Sequence, residues 1–269
     1  LDRAVKVCVA VPPVEELYPY SHICTGLKQL GLNMVPVTTP LGADVLVTWS
    51  PWKGSRREAI MLQYKERKLP IIVMENGWLS PIGDEPYFQV QIGGWNGTGY
   101  WTDETVMHRW RTWGVKLKPW RTISPDNQAF NALVVGQRGH PLDNRTAPPN
   151  WHREVQIDGW PKERIVRRDR DCGMSLTGQL SISGECHVWT SNVASWAIIH
   201  GVPVVQHGPN LMAWELASKP GEPLARDDRE PVLERLAWAQ WNKGEIASGE
   251  PFARALECWQ LMQELKIDP

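Results

Sequence analysis

The sequence predicts an α/β protein of two Rossmann-like lobes followed by a C-terminal helical tail, and three observations carry that prediction. Short β-branched apolar runs recur along the chain, helical stretches separate them, and the alternation breaks once, between residues 77 and 125. Apolar runs of this kind suit strands buried on both faces of a parallel sheet. Strands alternating with helices imply a doubly wound sheet covered on both sides. At 269 residues the chain is long enough for two cores, since a domain usually takes about 100–150 residues.

In chain order, residues 5–11 read as a first strand, closed by Pro12-Pro13. The run is far shorter than the roughly 20 residues of a membrane span, and it lacks a small-residue cleavage site. A helix over 21–30 ends at Gly31, strands follow at 34–37 and 43–48, and a helix over 56–67 leads to a strand at 70–74. The rhythm restarts with strands at 132–135, 164–166, 187–190 and 203–206, and a helix over 192–200 stops at Gly201. Two helices close the chain, over 231–242 and 251–267. Their stripes are Leu233, Leu236, Ala237 and Gln240 on the first and Phe252, Leu256, Trp259 and Met262 on the second. The predicted organisation is an N-terminal lobe over 1–125, a second lobe over 126–245 and a helical tail over 246–269.

Composition narrows the function classes. A formal net charge of −1 supplies no overall attraction to nucleic acid or to an anionic membrane, so any polyanion site is a local patch. Five widely spaced cysteines without a CxxC pair suggest neither a disulfide framework nor a zinc knuckle, and a reducing cytoplasm is the expected compartment. A monomer without a membrane partner is expected. The 16 tryptophans are the unusual feature, pointing to packing or to ring stacking.

Four segments carry candidate chemistry. The run Val73-Met74-Glu75-Asn76-Gly77 stops a buried strand at a carboxylate, where ligands of open α/β sheets gather. Glu75 fits a catalytic acid or base there, and equally a cap of the following turn. Gly136-Gln137-Arg138 opens a polar loop that reaches Asp143; it suits a phosphate or sugar hydroxyl, and equally an ordinary surface loop. Thr190-Ser191 stands at a helix start with backbone N–H groups for a diphosphate, and His207-Gly208 follows the next strand; a plain N-cap is the competing use. Asp169 and Asp171 form a DxD sequence, but Arg167 and Arg168 beside them are natural partners, and no metal is predicted.

The fourth segment interleaves cations with rings over residues 108–121. Arg109, Trp110, Arg111, Trp113, Lys116, Lys118 and Arg121 suit a DNA surface, where cations meet phosphates and rings stack on bases. A surface helix with its tryptophans turned to the core fits the same residues, and stacking of the rings on carbohydrate is a third use.

Thr190-Ser191, a helix, Gly201-Val202-Pro203-Val204 and the spacing from Gly208 to Trp214 follow an order that resembles the capsule-polysaccharide, Kdo-transferase-like branch of the GT-B glycosyltransferases. Glu75-Asn76-Gly77 and Val135-Gly136-Gln137 fall where that branch has Glu-Asp-Gly and a Val-Gly-Gln loop leading to an Asp. Residues 235–241, with Glu245, Ile246 and Gly249, resemble phage-encoded members of it. Two positions depart: Asn76 replaces an Asp, and Trp196 stands where the helix usually carries a Glu.

The resemblance implies a compact GT-B-like enzyme that uses a nucleotide sugar, a UDP-sugar, without an obligatory metal or other cofactor. Glu75 and Asp143 would be catalytic, and Gly136, Gln137, Arg138, Arg168, Thr190, Ser191, His207 and Gly208 would bind the donor. Together with the run over 108–121, the phage-like tail makes a hydroxymethylated pyrimidine in double-stranded phage DNA, 5-hydroxymethylcytosine or 5-hydroxymethyluracil, the expected acceptor. A capsule or surface polysaccharide is the alternative acceptor, and a non-catalytic DNA- or carbohydrate-binding module the alternative of another class.

Overall fold

The computed structural model describes residues 5–37, 42–51, 53–103, 108–122, 130–136, 147–148, 150–168, 173–209 and 211–267. The chain forms two α/β units. Unit 1 takes Leu1–Arg109 and Arg235–Pro269, and unit 2 takes Trp110–Glu234.

Unit 1 contains β1 (Lys6–Ala10), α1 (Tyr20–Gln29), β2 (Asn33–Val35), β3 (Val45–Trp49), α2 (Arg56–Glu66), β4 (Ile71–Asn76) and β5 (Tyr87–Ile92). The helix α3 (Arg109–Thr112) then leads into unit 2, with β6 (Asn131–Val135), α4 (Trp151–Glu154), β7 (Ile165–Arg168), α5 (Leu176–Ser181), β8 (Ser183–Val188), α6 (Val193–Ile199), β9 (Val204–Gln206) and β10 (Ala217–Ser218). Helix α7 (Glu230–Ala237) returns the chain to unit 1, where β11 (Gln240–Asn242), α8 (Lys243–Ser248) and α9 (Glu250–Glu264) complete it.

The first sheet runs β11-β5-β4-β3-β1-β2, parallel from β2 to β4 and antiparallel at β5 and β11. Its residues alternate between two cores. Val7, Val9, Val45, Val47, Ile72 and Met74 pack with α1 and α9, while Cys8, Leu46, Ile71 and Val73 pack with α2. A Cβ on Gly26 would collide with the carbonyl of Ile246, so this glycine lets α1 lie close against α8. The second sheet, β10-β9-β8-β6-β7, is parallel throughout. In both sheets the first strand lies between the second and the third, so the winding direction reverses beside the first strand. The crevice at the carboxyl ends of such strands is the usual ligand position.

Three differences from the sequence expectation have clear causes. Residues 77–125 do contain a strand: in β5, Phe88, Val90 and Ile92 face the core and Gln89 and Gln91 the other side, the period-two pattern of an antiparallel strand. The helix expected over 231–242 stops at Ala237, because Gln240–Asn242 pairs with β5 and Asn242 opens α8 with a capping box to Glu245. The units meet in sequence at 109/110 and 234/235 rather than near 125 and 245. The reason is local: Arg109 is held by Glu245, and β11 is an edge strand of the first sheet.

Candidate functional site

In unit 1 the chemistry gathers at the carboxyl end of β3 and β4. The N–H of Ser50 donates to the carbonyl of Met74 at 2.8 Å, extending the ladder one residue beyond β3. That places the Ser50 hydroxyl against Glu75 at the end of β4, and Oγ donates to Oε2. Oε1 accepts from the backbone N–H of Asn76 at 2.8 Å and from its side-chain amide at 2.9 Å. An Asp at position 76 would bring only lone pairs to that carboxylate when ionised, so the departure noted in the sequence supplies a donor where one is used. Burial pushes the Glu75 pKa up, and the donors from Ser50 and Asn76, with the charge of Arg57, act against the rise. Three donors thus surround a carboxyl whose pKa is still pushed upward, and groups perturbed in this way cluster at functional sites.

Around Glu75 the sheet is polar. Glu75 faces Gln89 in the register, and the buried Gln89 donates to the carbonyl of Asn76 at 2.8 Å and to Asn96 at 3.1 Å. Gln91 in turn donates to Gln89 at 3.0 Å. Ser50, Gln89, Gln91 and Asn96 escaped the sequence reading. Their signal was present, since a serine ends an apolar strand and two glutamines alternate with apolar residues.

In unit 2 the donor-site candidates stand at strand ends. Gly136 closes β6 and its N–H meets the Arg168 carbonyl at 2.7 Å. Gln137, Arg138 and Asp143 lie outside the described residues, as do Asp169 and Asp171. Strand β8 ends at Val188, so Trp189, Thr190 and Ser191 form a turn before α6, whose N-cap is Asn192. Ser191 Oγ accepts from the Val193 N–H at 3.3 Å, and the N–H groups of Ala194 and Ser195 meet the carbonyls of Ser191 and Asn192. These three N–H groups are taken up within the chain. Arg168 is likewise engaged, by the Met174 carbonyl at 2.9 Å and by Gln179. Gly208 is a glycine for packing: a Cβ there would stand 2.5 Å from Cδ1 of Trp189.

His207 sits in a linked group that the sequence reading did not assemble. Its Nε2 is 3.0 Å from Nδ1 of His187, whose Nε2 is 2.8 Å from Oε1 of Glu185. Trp160 donates to the other Glu185 oxygen at 3.1 Å. Glu185 and His187 are two residues apart on β8 and share a face. Burial raises the Glu185 pKa, but His187 and the Trp160 donor outweigh it and the net shift is downward. His207 is pushed down to about 4, chiefly by burial and then by His187.

The cationic run divides. Arg109 is spent inside unit 1: it grips Glu245 at 2.6 and 2.7 Å, donates to the carbonyls of Ala237 and Gln240, and lies over the rings of Trp238 and Trp241. Trp110 is buried in unit 2 with Trp113 edge-on against it. Arg111 pairs with Glu230 and Glu234, and Arg121 binds the Ser183 carbonyl and covers Phe130. Lys116 and Lys118 are exposed. The expectation of a DNA surface over this run is corrected for Arg109 and Trp110, whose polar or apolar surface is already consumed by the fold. Among the described residues no cluster of three or more His, Cys, Asp or Glu is placed to hold a metal. None of the helices described is long and apolar enough to cross a membrane.

No family model matches the sequence, and no curated protein matches it. Solved structures do share its fold, two of them Kdo transferases by their descriptions. Thermosulfurimonas dismutans KpsC, beta Kdo 2,4 transferase, is similar over 93% of this chain and 98% of its own, with a TM-score of 0.54 at 14% identity. The same organism's KpsC, beta Kdo 2,7 transferase, covers 93% and 99%, with a TM-score of 0.51 at 14% identity. At this identity the likeness is one of fold: the chain has the two-unit, GT-B-like α/β architecture with a helical C-terminus that its sequence predicts.

Proposed function

We propose that this chain is a glycosyltransferase that moves a sugar from a nucleotide-sugar donor to a hydroxyl of a capsule or surface polysaccharide. The observation that carries the reading is Glu75, a half-buried carboxyl at the end of a parallel strand, with a raised pKa and three donors around it. The fold likeness to two Kdo transferases supports the same reading. In the reaction the acceptor oxygen bonds to the anomeric carbon, the bond to the donor phosphate breaks, the nucleotide leaves with the electron pair, and the acceptor proton passes to Glu75. Unit 2 holds the nucleotide at the carboxyl ends of β6, β8 and β9, using Gly136, Thr190, Ser191 and His207, and Asp143 is the second candidate acid. A hydroxymethylated pyrimidine is the less favoured acceptor, because Arg109 and Trp110 are occupied by the fold.

The test incubates the chain with UDP-sugars or nucleotide-activated Kdo and one of three acceptors: a Kdo-ended oligosaccharide, hydroxymethylcytosine DNA or none. Nucleotide release and acceptor mass are read together. Release that rises with the oligosaccharide, with a matching mass gain, supports the proposal. A mass gain on DNA alone restores the nucleic-acid acceptor, and silence with every donor removes the enzyme reading.

A further inference from the structure

We propose that a cavity at the amino end of β4, lined by Lys65, Lys68, Lys266 and Trp259, binds a hydroxylated carboxylate, the chemistry of a sugar acid. The site stands on its own geometry and does not depend on the glycosyltransferase reading.

The cavity has a volume of 340 Å³ and all its lining residues belong to unit 1. Ligand pockets begin at about 300 Å³. Ile71, which opens β4, and Gly93, just past β5, both line it, and the Gly93 N–H meets the Ile71 carbonyl at 2.8 Å. Glu75 stands at the other end of the same strand, about 13 Å from Ile71 at the usual rise per residue. The cavity is therefore separate from the carboxyl end of the sheet.

Two helix ends supply the rest of the lining. α2 stops at Glu66 and α9 at Glu264, and both finish in the same way. The N–H of Lys68 meets the Lys65 carbonyl and that of Leu69 the Tyr64 carbonyl; the N–H of Lys266 meets the Gln263 carbonyl and that of Ile267 the Met262 carbonyl. Such a pairing closes a helix through one residue in the left-handed region, where glycine is the usual occupant because a side chain is strained there. Among the described residues, four that carry a side chain take that backbone. Asn96 and Asn150 are of a type that tolerates it; the others are Lys68 and Lys266, at φ 53° and 56°. Both of these lysines line the cavity, together with Lys65. A cation near a last turn answers the helix dipole, but Lys65 already does so in α2, and the dipole does not ask for lysine in place of glycine at a strained position. Among the described residues no ion pair takes up any of the three side chains.

The lining selects the ligand. Three lysines supply point charges for an anion. Phosphates are gathered by the backbone N–H groups of helix starts, whereas this cavity receives two helices by their carbonyl ends, which accept from hydroxyls. A carboxylate with neighbouring hydroxyls meets both demands. Gln263 adds a donor and an acceptor, and Trp259, Leu69 and Ile267 offer apolar surface to the C–H face of a ring.

The test titrates the whole labelled chain, read by amide and indole NMR, with three probes: glucuronate, glucose, which has an alcohol where glucuronate has its carboxylate, and inorganic phosphate. Glucuronate is expected to shift Lys68, Leu69, Gly93, the Trp259 indole and residues 263–267 to saturation, and glucose and phosphate to shift them far less. The double variant Lys68→Gly, Lys266→Gly is expected to weaken glucuronate binding by at least about tenfold, the worth of one charge-assisted contact. It should melt no lower than wild type, since glycine relieves the left-handed backbone. Lys65→Gln removes the third charge without touching either turn and is expected to weaken binding as well. Equal shifts with glucose or phosphate, no saturable shift with glucuronate, or undiminished binding in both variants overturns the proposal. No donor is present in the titration, so nucleotide release by a chain that ignores glucuronate removes this site alone, and glucuronate binding by a chain that releases no nucleotide leaves the site standing without the transferase.

Discussion

The Ser50 hydroxyl donates to Oε2 of Glu75, joining the ends of two neighbouring parallel strands across 25 residues of sequence. Both residues sit on the face that carries Leu46 and Val73, which is covered by α2. A carboxyl drawn into that position is held at a cost. Its folded pKa is raised, so the protonated form is favoured in the fold, and the resulting stability is present below the unfolded pKa and lost as pH rises through the folded value.

Glu75→Gln removes that ionisation while keeping the shape, and the Ser50 hydroxyl can turn to accept from the new amide. The variant is expected to melt higher than wild type, by a margin that widens from acid to neutral pH, and to lose about 10²–10⁴-fold in rate as a general base is removed. Calorimetry across pH and nucleotide release measure the two effects. A variant that melts lower at neutral pH, with unchanged activity, assigns Glu75 to capping.

Ser50→Ala separates tuning from chemistry. The Ser50 donor lowers the Glu75 pKa, so its loss raises that pKa further. Because the base works only when ionised, the acid limb of the pH–rate profile is expected to move to higher pH, with the high-pH plateau kept within about tenfold of wild type. A profile that drops evenly at all pH values contradicts the tuning role.

Arg109→Ala breaks a fork held by Glu245 and by two carbonyls and covered by two indoles. Breaking a buried pair costs about 3–5 kcal/mol; with Glu245 27% exposed, about 2–3 kcal/mol is expected. Arg109→Lys should recover little, because an ammonium cannot span the fork. Chemical denaturation gives the stability, and DNA retention at two salt concentrations gives the contrast: a loss of DNA binding without a loss of stability would return Arg109 to a nucleic-acid surface.

Gly208→Ala forces a methyl against the Trp189 ring. Overpacking of this sort costs about 1–3 kcal/mol, and the expected result is a lower melting temperature with any kinetic change following it. If instead the melting temperature holds while the KM for the donor rises at least tenfold, the glycine serves close approach of a ligand.

Much of the fold was legible because parallel strands here are written as unbroken apolar runs, and those at the start of each unit were placed within a few residues. The edge of the first sheet was not. Gln89 and Gln91 look like loop residues until Phe88, Val90 and Ile92 are read at alternate positions, and Gln240–Asn242 is too short to betray a strand. The place of Glu75 at the end of a strand was legible from the apolar run before it. Its partner Ser50 and the contact of His187 with His207 were not, because each joins residues brought together only by strand order. The tryptophan content left packing and ring stacking both open, and packing accounts for many of the rings: Trp238 and Trp241 cover Arg109 and Arg254, and Trp78, Trp101 and Trp120 donate to backbone carbonyls.

On the proposed function, the carboxyl ends of β6, β8 and β9 hold the donor nucleotide. Backbone amide NMR during titration with UDP, and in parallel with CMP, tests it most directly. Shifts are expected to concentrate at Gly136, residues 189–193 and residues 206–208. Shifts confined to unit 1, or none at millimolar nucleotide, would contradict it.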